Sequence, residues 1–85
     1  MQTKGVFEMK QFNNRLELRN IQTRLRKAIQ ESHFKQKEIA HAVGVSEKTI
    51  SAYINKDVFP ALDTLAKLCI FLDVSSDFIL GITKN

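Results

Sequence analysis

Two short amphipathic segments joined at a glycine occupy the middle of this sequence. Residues 36–43 and residues 47–55 each carry apolar residues at the spacing of one helix face. Gly44, between them, readily adopts the left-handed backbone that ends a helix. The hydroxyl of Ser46 can then cap the helix that follows. The positions that define the two apolar faces are Ile39, Ala40, Val43, Ile50, Tyr53 and Ile54.

The spacing of three residues makes this pattern specific. Counted from Gln36, alanine (Ala40) stands at the fifth place, glycine (Gly44) at the ninth and a β-branched residue (Ile50) at the fifteenth. This resembles the helix-turn-helix of bacterial and phage DNA-binding proteins, whose second helix enters the major groove.

The flanking residues extend the resemblance beyond the turn. Pro60 is followed by leucines at positions 62, 65, 68 and 72, and residues 74–81 read Val-Ser-Ser-Asp-Phe-Ile-Leu-Gly. Both stretches are similar to the last two helices of the XRE family, the lambda repressor and Cro-like regulators. The resemblance covers Ile21 to about Ile82, and several motifs agree in order. It implies a compact, all-α, five-helix lambda repressor-like DNA-binding domain.

Length and composition restrict the protein to few classes. Eighty-five residues suffice for one domain, and an apolar fraction of 44% is ordinary for a globular chain. No apolar run is long enough to span a bilayer, and the N-terminus lacks the apolar stretch of a signal peptide. The single cysteine, Cys69, lies in the leucine pattern, where burial is expected rather than reactivity. We therefore expect a cytoplasmic protein, bacterial or phage-encoded by resemblance.

Charge is distributed unevenly along the chain. Residues 1–56 hold eleven Lys and Arg against five Asp and Glu, whereas residues 57–85 hold two against four. The first part therefore carries +6 and the second −2, which together give the net charge of +4. The positive part contains the helix-turn-helix, as a polyanion-binding surface requires.

Periodicity and capping residues predict five helices in one domain, residues 21–82, with residues 83–85 as a tail. Asn20 is the expected cap of the first helix, and Ser75 and Gly81 are expected to bound the last. The predicted ranges are about Ile21–Ser32, Gln36–Val43, Glu47–Asn55, Leu62–Leu72 and a short helix after Ser75.

Residues 1–20 are an N-terminal arm or extension whose structure the sequence leaves open. Asn13-Asn14 lies between residues 5–12 and residues 15–19 and suits the turn of a β-hairpin. The apolar residues Leu16 and Leu18 are equally compatible with a backward extension of the first helix. A start at Met9, preceded by a flexible arm, is also open.

The second helix of the motif supplies the candidate base contacts. Its N-terminal end approaches base edges in this class of protein. Lys48 can donate to guanine, and Glu47 can accept from cytosine. Ser51 can serve either way, and Ala52 can contact a thymine methyl. For Glu47 and Ser51, simple solvent exposure is almost as good an explanation.

The candidate phosphate contacts lie around the ends of the two helices. By resemblance, Gln36 matches the glutamine that opens this helix in the family and touches a backbone phosphate, which its amide suits. The full set is Lys35, Gln36, Lys37, Thr49, Asn55 and Lys56. Arg24, Arg26 and Lys27 are expected to add only to the wider positive field.

Three features depart from what is usual in the family that the sequence resembles. Lys35 stands where relatives carry serine or threonine, so the helix that follows lacks its usual cap. No glycine stands near Lys56, so that helix end must close differently. Ile29 and Ile54 occupy the positions of an arginine–glutamate pair, and an apolar pair can replace a buried ion pair without loss of stability.

These features favour one function over its alternatives. The chain is expected to be a sequence-specific regulator of transcription that binds double-stranded DNA, a small Cro-like repressor acting as a homodimer by operator occupancy. The alternative is an antitoxin or protein-interaction subunit. Phe78, Ile79 and Ile82 could form a dimer or partner surface, although core packing explains Phe78 and Ile79 equally well.

No enzyme activity, metal, cofactor or small-molecule ligand is implied. Neither His33 nor His41 belongs to a cluster at metal-ligand spacing, the three glycines form no phosphate-binding loop, and no positioned base is evident for Ser51 or Cys69 as a nucleophile.

Overall fold

The computed structural model describes residues 14–83, and within that range all of the regular secondary structure is helical. The five predicted helices are present, and the last four have the predicted bounds. A 3-10 helix at Asn14–Leu16 precedes α1 (Leu18–Glu31), α2 (Gln36–Val43), α3 (Glu47–Asn55), α4 (Leu62–Leu72) and α5 (Ser76–Leu80). The all-α, five-helix fold is therefore confirmed.

The predicted start of the first helix is wrong. α1 begins at Leu18, with Glu17 at the N-cap position and no side-chain cap. Asn20 lies inside the helix, and its amide donates to the carbonyl of Asn14 at 2.5 Å. Residues 14–20 thus continue the helical structure backward and form no hairpin strand, while residues 5–12 lie outside the described range. The division of the chain at residue 20 stays a prediction.

The core is built from the apolar faces of all five helices. Five side chains are the most deeply buried, one from each helix: Leu25, Ile39, Ile50, Leu68 and Ile79. Cys69 is buried beside them, as expected, and burial raises the pKa of its thiol. A neutral thiol in this position behaves as a small apolar residue.

Local signals explain most helix ends. The hydroxyl of Ser75 accepts from the Phe78 N–H at 3.3 Å, and Gly81 ends α5 with φ of 84°. At α2, where the usual cap is missing, the Glu38 carboxylate accepts from the backbone N–H of Lys35 at 2.8 Å. Glu38 thus satisfies a backbone donor from within the helix, which is half of a capping box.

Arg24 joins three separate parts of the domain. Its Nε donates to the carbonyl of Ile79 at 2.9 Å, and its guanidinium also donates to the carbonyl of Arg15. The side chain therefore ties α1 to the end of α5 and to the turn before α1. We expected Arg24 only to add to the wider positive field. That expectation is wrong, because its guanidinium donates hydrogen bonds that hold parts of the fold together.

The proposed partner surface near the C-terminus is only partly available. Ile79 is completely buried, and Phe78 is half-buried against the core. Ile82 is 59% exposed and is the one member of that set with a largely free side chain. Of the two alternatives for Ile79, core packing is therefore the one that the structure shows.

Candidate nucleic-acid interface

The turn between α2 and α3 determines which side of α3 faces outward. Gly44 adopts φ of 79°, the left-handed conformation predicted for it. Ser46 then caps α3, with its hydroxyl accepting from the Thr49 N–H at 3.0 Å. Ile50, Tyr53 and Ile54 point into the core, so the opposite side of α3 presents its polar side chains to solvent.

The four candidate base contacts lie along this outer side. Glu47 and Lys48, in the first turn of α3, are exposed, whereas Ser51 and Ala52 are half-buried. The Ser51 hydroxyl accepts from the side-chain amide of Asn55 at 3.2 Å. Lys48 is therefore the most accessible hydrogen-bond donor of the four, and Ser51 and Asn55 are linked to each other.

The candidate phosphate contacts fall into two groups. Lys35, Gln36 and Lys37 lie together where α2 begins, with both lysines exposed and Gln36 half-buried. Asn55 and Lys56 are exposed where α3 ends. Thr49, on α3 itself, is half-buried, and its hydroxyl lies 2.8 Å from that of Ser46. That local hydrogen bond makes Thr49 a weaker phosphate candidate than the lysines.

Two side chains of α1, which we had not predicted at this site, close the end of α3. Gln22 is 4% exposed, and its amide donates to the carbonyls of Lys56 and, at 3.4 Å, of Tyr53. Arg26 Nε donates to the carbonyl of Ile54 at 2.6 Å. These side chains donate to carbonyls that would accept from backbone N–H groups in a C-terminal glycine motif. Arg26, like Arg24, is therefore a structural residue.

The sequence does contain a faint signal for this arrangement. Gln22 lies three residues before Leu25, which places a polar amide on the buried face of α1. A buried amide needs partners, and the end of α3 lacks a glycine. Which carbonyls it would meet depends on how α1 crosses α3, and local spacing does not encode that crossing.

Removing the Gln22 amide should measurably destabilise the domain. Gln22→Ala would leave buried carbonyls of α3 without donors, at a cost of about 1–3 kcal/mol. Urea unfolding measures the change in the free energy of unfolding. Gln30→Ala is the matched control, because Gln30 is exposed on the same helix. Equal effects of the two substitutions would contradict a capping role for Gln22.

Within residues 14–83, no group of three or more His, Cys, Asp or Glu side chains could hold a metal ion. No helix in the same part of the chain is long and apolar enough to cross a membrane.

Comparison with known proteins identifies the family. Residues 25–79, more than half of the chain, match the family described as helix-turn-helix. The chain belongs to this family, the XRE-type helix-turn-helix proteins similar to the lambda repressor and Cro. No curated protein and no solved structure gives a significant match. The family consists of DNA-binding regulators, and the chain is accordingly a DNA-binding helix-turn-helix regulator.

Proposed function

We propose that the protein is a sequence-specific transcriptional regulator that binds operator DNA as a homodimer and represses by occupancy. It would act in the cytoplasm of a bacterium, as a chromosomal or phage-encoded protein. The observation that carries this proposal is the way α3 is held. Ser46 caps its start, Gln22 and Arg26 bind the carbonyls at its end, and its polar side is left exposed. A helix fixed at both ends presents its side chains in one register, which base recognition requires.

We assign base contacts to four side chains of α3, Glu47, Lys48, Ser51 and Ala52. Lys48 donates to guanine O6 or N7, and Glu47 accepts from cytosine N4. Ala52 meets a thymine methyl, and Ser51, whose hydroxyl accepts from the Asn55 amide, contacts a base. Lys48, Ser51 and Ala52 lie on the side of α3 opposite its buried residues, and Glu47 is exposed at its N-terminal end, so the four can face the major groove together.

Phosphate contacts on either side would fix the position of the protein on the duplex. Lys35, Gln36 and Lys37 lie at the start of α2, where free backbone N–H groups also favour an anion. Asn55 and Lys56 lie at the far end of α3, with Thr49 between the two groups. Contacts at two separated places determine orientation, while base edges determine sequence preference.

Selection of binding sites from random duplex DNA tests this function directly. We expect enrichment of a two-fold symmetric sequence whose half-sites lie about one helical turn apart. A salt titration on the best site should show affinity falling steeply as counterions are restored. An unenriched pool, together with salt-independent binding, would refute the proposal.

Lys48 and Gln36 should respond differently to substitution. Lys48→Ala should cost about 1–3 kcal/mol on the specific site and relax the base preference at one position. Gln36→Ala should weaken binding more evenly across sequences, because a phosphate contact carries no sequence information. Fluorescence anisotropy on specific and random duplexes measures both. Gln30→Ala, at an exposed position of α1 that is not among the candidate DNA contacts, is the control. Equal losses for both variants on both duplexes would contradict this division.

A role as antitoxin or interaction subunit is the second candidate. It is favoured by two large apolar side chains on α4 that are almost fully exposed, Leu62 and Ile70. Salt-dependent binding to a selected duplex would distinguish the regulator from a pure interaction module. An interaction module would bind a protein partner and show no preferred DNA sequence.

A further inference from the structure

A hydrogen bond on the outer side of α3 links two polar side chains that lie one turn apart. The Nδ2 of Asn55 lies 3.2 Å from the hydroxyl oxygen of Ser51 and donates to it. Residues four positions apart on a helix are neighbours on its surface. Asn55 is exposed, and Ser51 is half-buried. The pair therefore lies on the side of α3 to which the base contacts are assigned above.

The hydroxyl of Ser51 has a proton to donate and no acceptor for it within the described chain. A serine hydroxyl carries one O–H donor and two lone pairs, and the Asn55 amide occupies one of the lone pairs. A hydroxyl on a helix can donate to the carbonyl four residues before it, as Thr23 does to Arg19 at 2.8 Å. Among residues 14–83, however, Asn55 is the only hydrogen-bond partner of the Ser51 side chain. Its O–H is therefore free to donate to an acceptor on DNA.

The amide of Asn55 has a second N–H, which suits it to a phosphate contact. An amide nitrogen donates twice, whereas the amide oxygen only accepts. A phosphate near the end of α3 attracts the nitrogen and repels the oxygen, because phosphate oxygens are negatively charged acceptors. Asn55 can thus donate to a phosphate with one N–H and to Ser51 with the other. Bound DNA favours the amide orientation in which Ser51 accepts from it.

We propose that Asn55 makes Ser51 a hydrogen-bond donor toward DNA and thereby sets the base preference at that contact. This inference rests on the DNA binding proposed above and specifies the chemistry of one contact in it. Asn55 acts through Ser51 and is a positioning residue for base recognition.

The preference follows from the groups that bases present in the major groove. Guanine presents the acceptors O6 and N7, whereas cytosine presents the N4 amino group, which donates. A hydroxyl that donates therefore favours guanine over cytosine. Cytosine would occupy the second lone pair of Ser51 and leave its O–H without an acceptor, which is unfavourable where water is excluded.

Asn55→Asp should reverse this preference. At neutral pH an aspartate only accepts, so the Ser51 hydroxyl would donate to it and present its lone pairs to DNA. The contact would then favour cytosine, which donates, over guanine, which accepts. The same substitution would leave the preference unchanged if Ser51 already donated to residue 55 in the parent protein. The direction of the change therefore identifies the role of Ser51.

Two duplexes that differ only by exchange of guanine and cytosine at one base pair measure the preference. Site selection with Ser51→Ala locates that pair, because this variant should lose its preference at one position of the half-site. In fluorescence anisotropy, the parent's two dissociation constants should differ by about fivefold, the size of one hydrogen bond. Asn55→Asp should invert their ratio, and Asn55→Ala should bring the ratio close to one. The added negative charge weakens binding to both duplexes and leaves the ratio unchanged.

The Ser51→Ala background separates this mechanism from a structural effect of Asn55. Without a hydroxyl at position 51, Asn55→Asp should leave the ratio unchanged, whereas a distortion of α3 would alter it in both backgrounds. Circular dichroism verifies that each variant folds. The proposal would be overturned by an Asn55→Asp variant that keeps the parent's preference. An equal change in both backgrounds would also overturn it.

Failure of this inference can be told apart from failure of the proposed function. A parent protein that selects a site with salt-dependent affinity, and whose preference does not depend on Asn55, keeps the function and loses the inference. If Ser51→Ala loses preference at no position, Ser51 touches no base, and the inference fails with that one contact. A parent that selects no site refutes the function and the inference together.

Discussion

Replacing Ile54 with glutamate should destabilise the domain by about 3–5 kcal/mol, because a carboxylate without a partner would be placed in the core. Ile54 is 7% exposed and Ile29 is 2% exposed, and both belong to the apolar core cluster. The measurement is urea unfolding of the variant against the parent. Ile54→Gln is the control, because it introduces a polar side chain of the same length without the charge and should cost less.

A second substitution shows whether the two positions act together. Relatives are expected to carry arginine where Ile29 stands, so Ile29→Arg added to Ile54→Glu should recover part of the lost stability. Complete recovery is not expected, since the surrounding packing is adapted to two isoleucines. A double-mutant cycle measures the coupling free energy between the positions. Strictly additive effects would show that the two side chains do not interact.

Gly81→Ala should also destabilise the domain strongly, lowering the free energy of unfolding by about 3 kcal/mol or more. Gly81 has φ of 84°, which costs an alanine about 1–2 kcal/mol. A methyl group there would also lie 2.6 Å from the guanidinium of Arg24 and 2.9 Å from the carbonyl carbon of Arg15. Such contacts would displace Arg24 and break the hydrogen bonds that join α1, α5 and the preceding turn.

Gly44→Ala provides the matched control for this prediction. Gly44 has a similar φ of 79°, but an added methyl group would meet no atom within 4 Å. Gly44→Ala should therefore lower the free energy of unfolding only by the cost of a left-handed backbone at alanine, about 1–2 kcal/mol. Urea unfolding of both variants separates backbone strain from steric displacement. Equal losses at the two glycines would show that the tight packing around Gly81 is unimportant for stability.

The sequence by itself predicts α2 to α5 with the bounds that they have. The signals that set these bounds are interactions between residues a few positions apart, so they do not depend on how the helices pack. Ser46 and Ser75 accept from backbone N–H groups three residues ahead, and Gly44 and Gly81 adopt the left-handed conformation that glycine favours. The same local spacing around Gly44 also carries the resemblance to the family, which the family match confirms.

The candidate DNA contacts were predictable to a similar extent. Helical periodicity correctly placed Lys48 and Asn55 outside the core and Ile50 and Tyr53 inside it. It could not show that the hydroxyls of Thr49 and Ser51 form hydrogen bonds with Ser46 and Asn55. Those hydrogen bonds depend on side-chain conformations that many sequences with the same pattern would not adopt. The DNA contacts themselves stay a prediction.

The tertiary structure alone decided how α1 begins and how α3 ends. α1 starts at Leu18 because the turn before it is held by Arg24 beside the end of α5. α3 ends without a glycine because Gln22 and Arg26 bind its last carbonyls from residues 31 and 28 positions away in sequence. The exposure of the outer side of α4 likewise depends on which helices pack beside it. Contacts between distant residues arise only when helices cross, and no local propensity encodes the angle of that crossing.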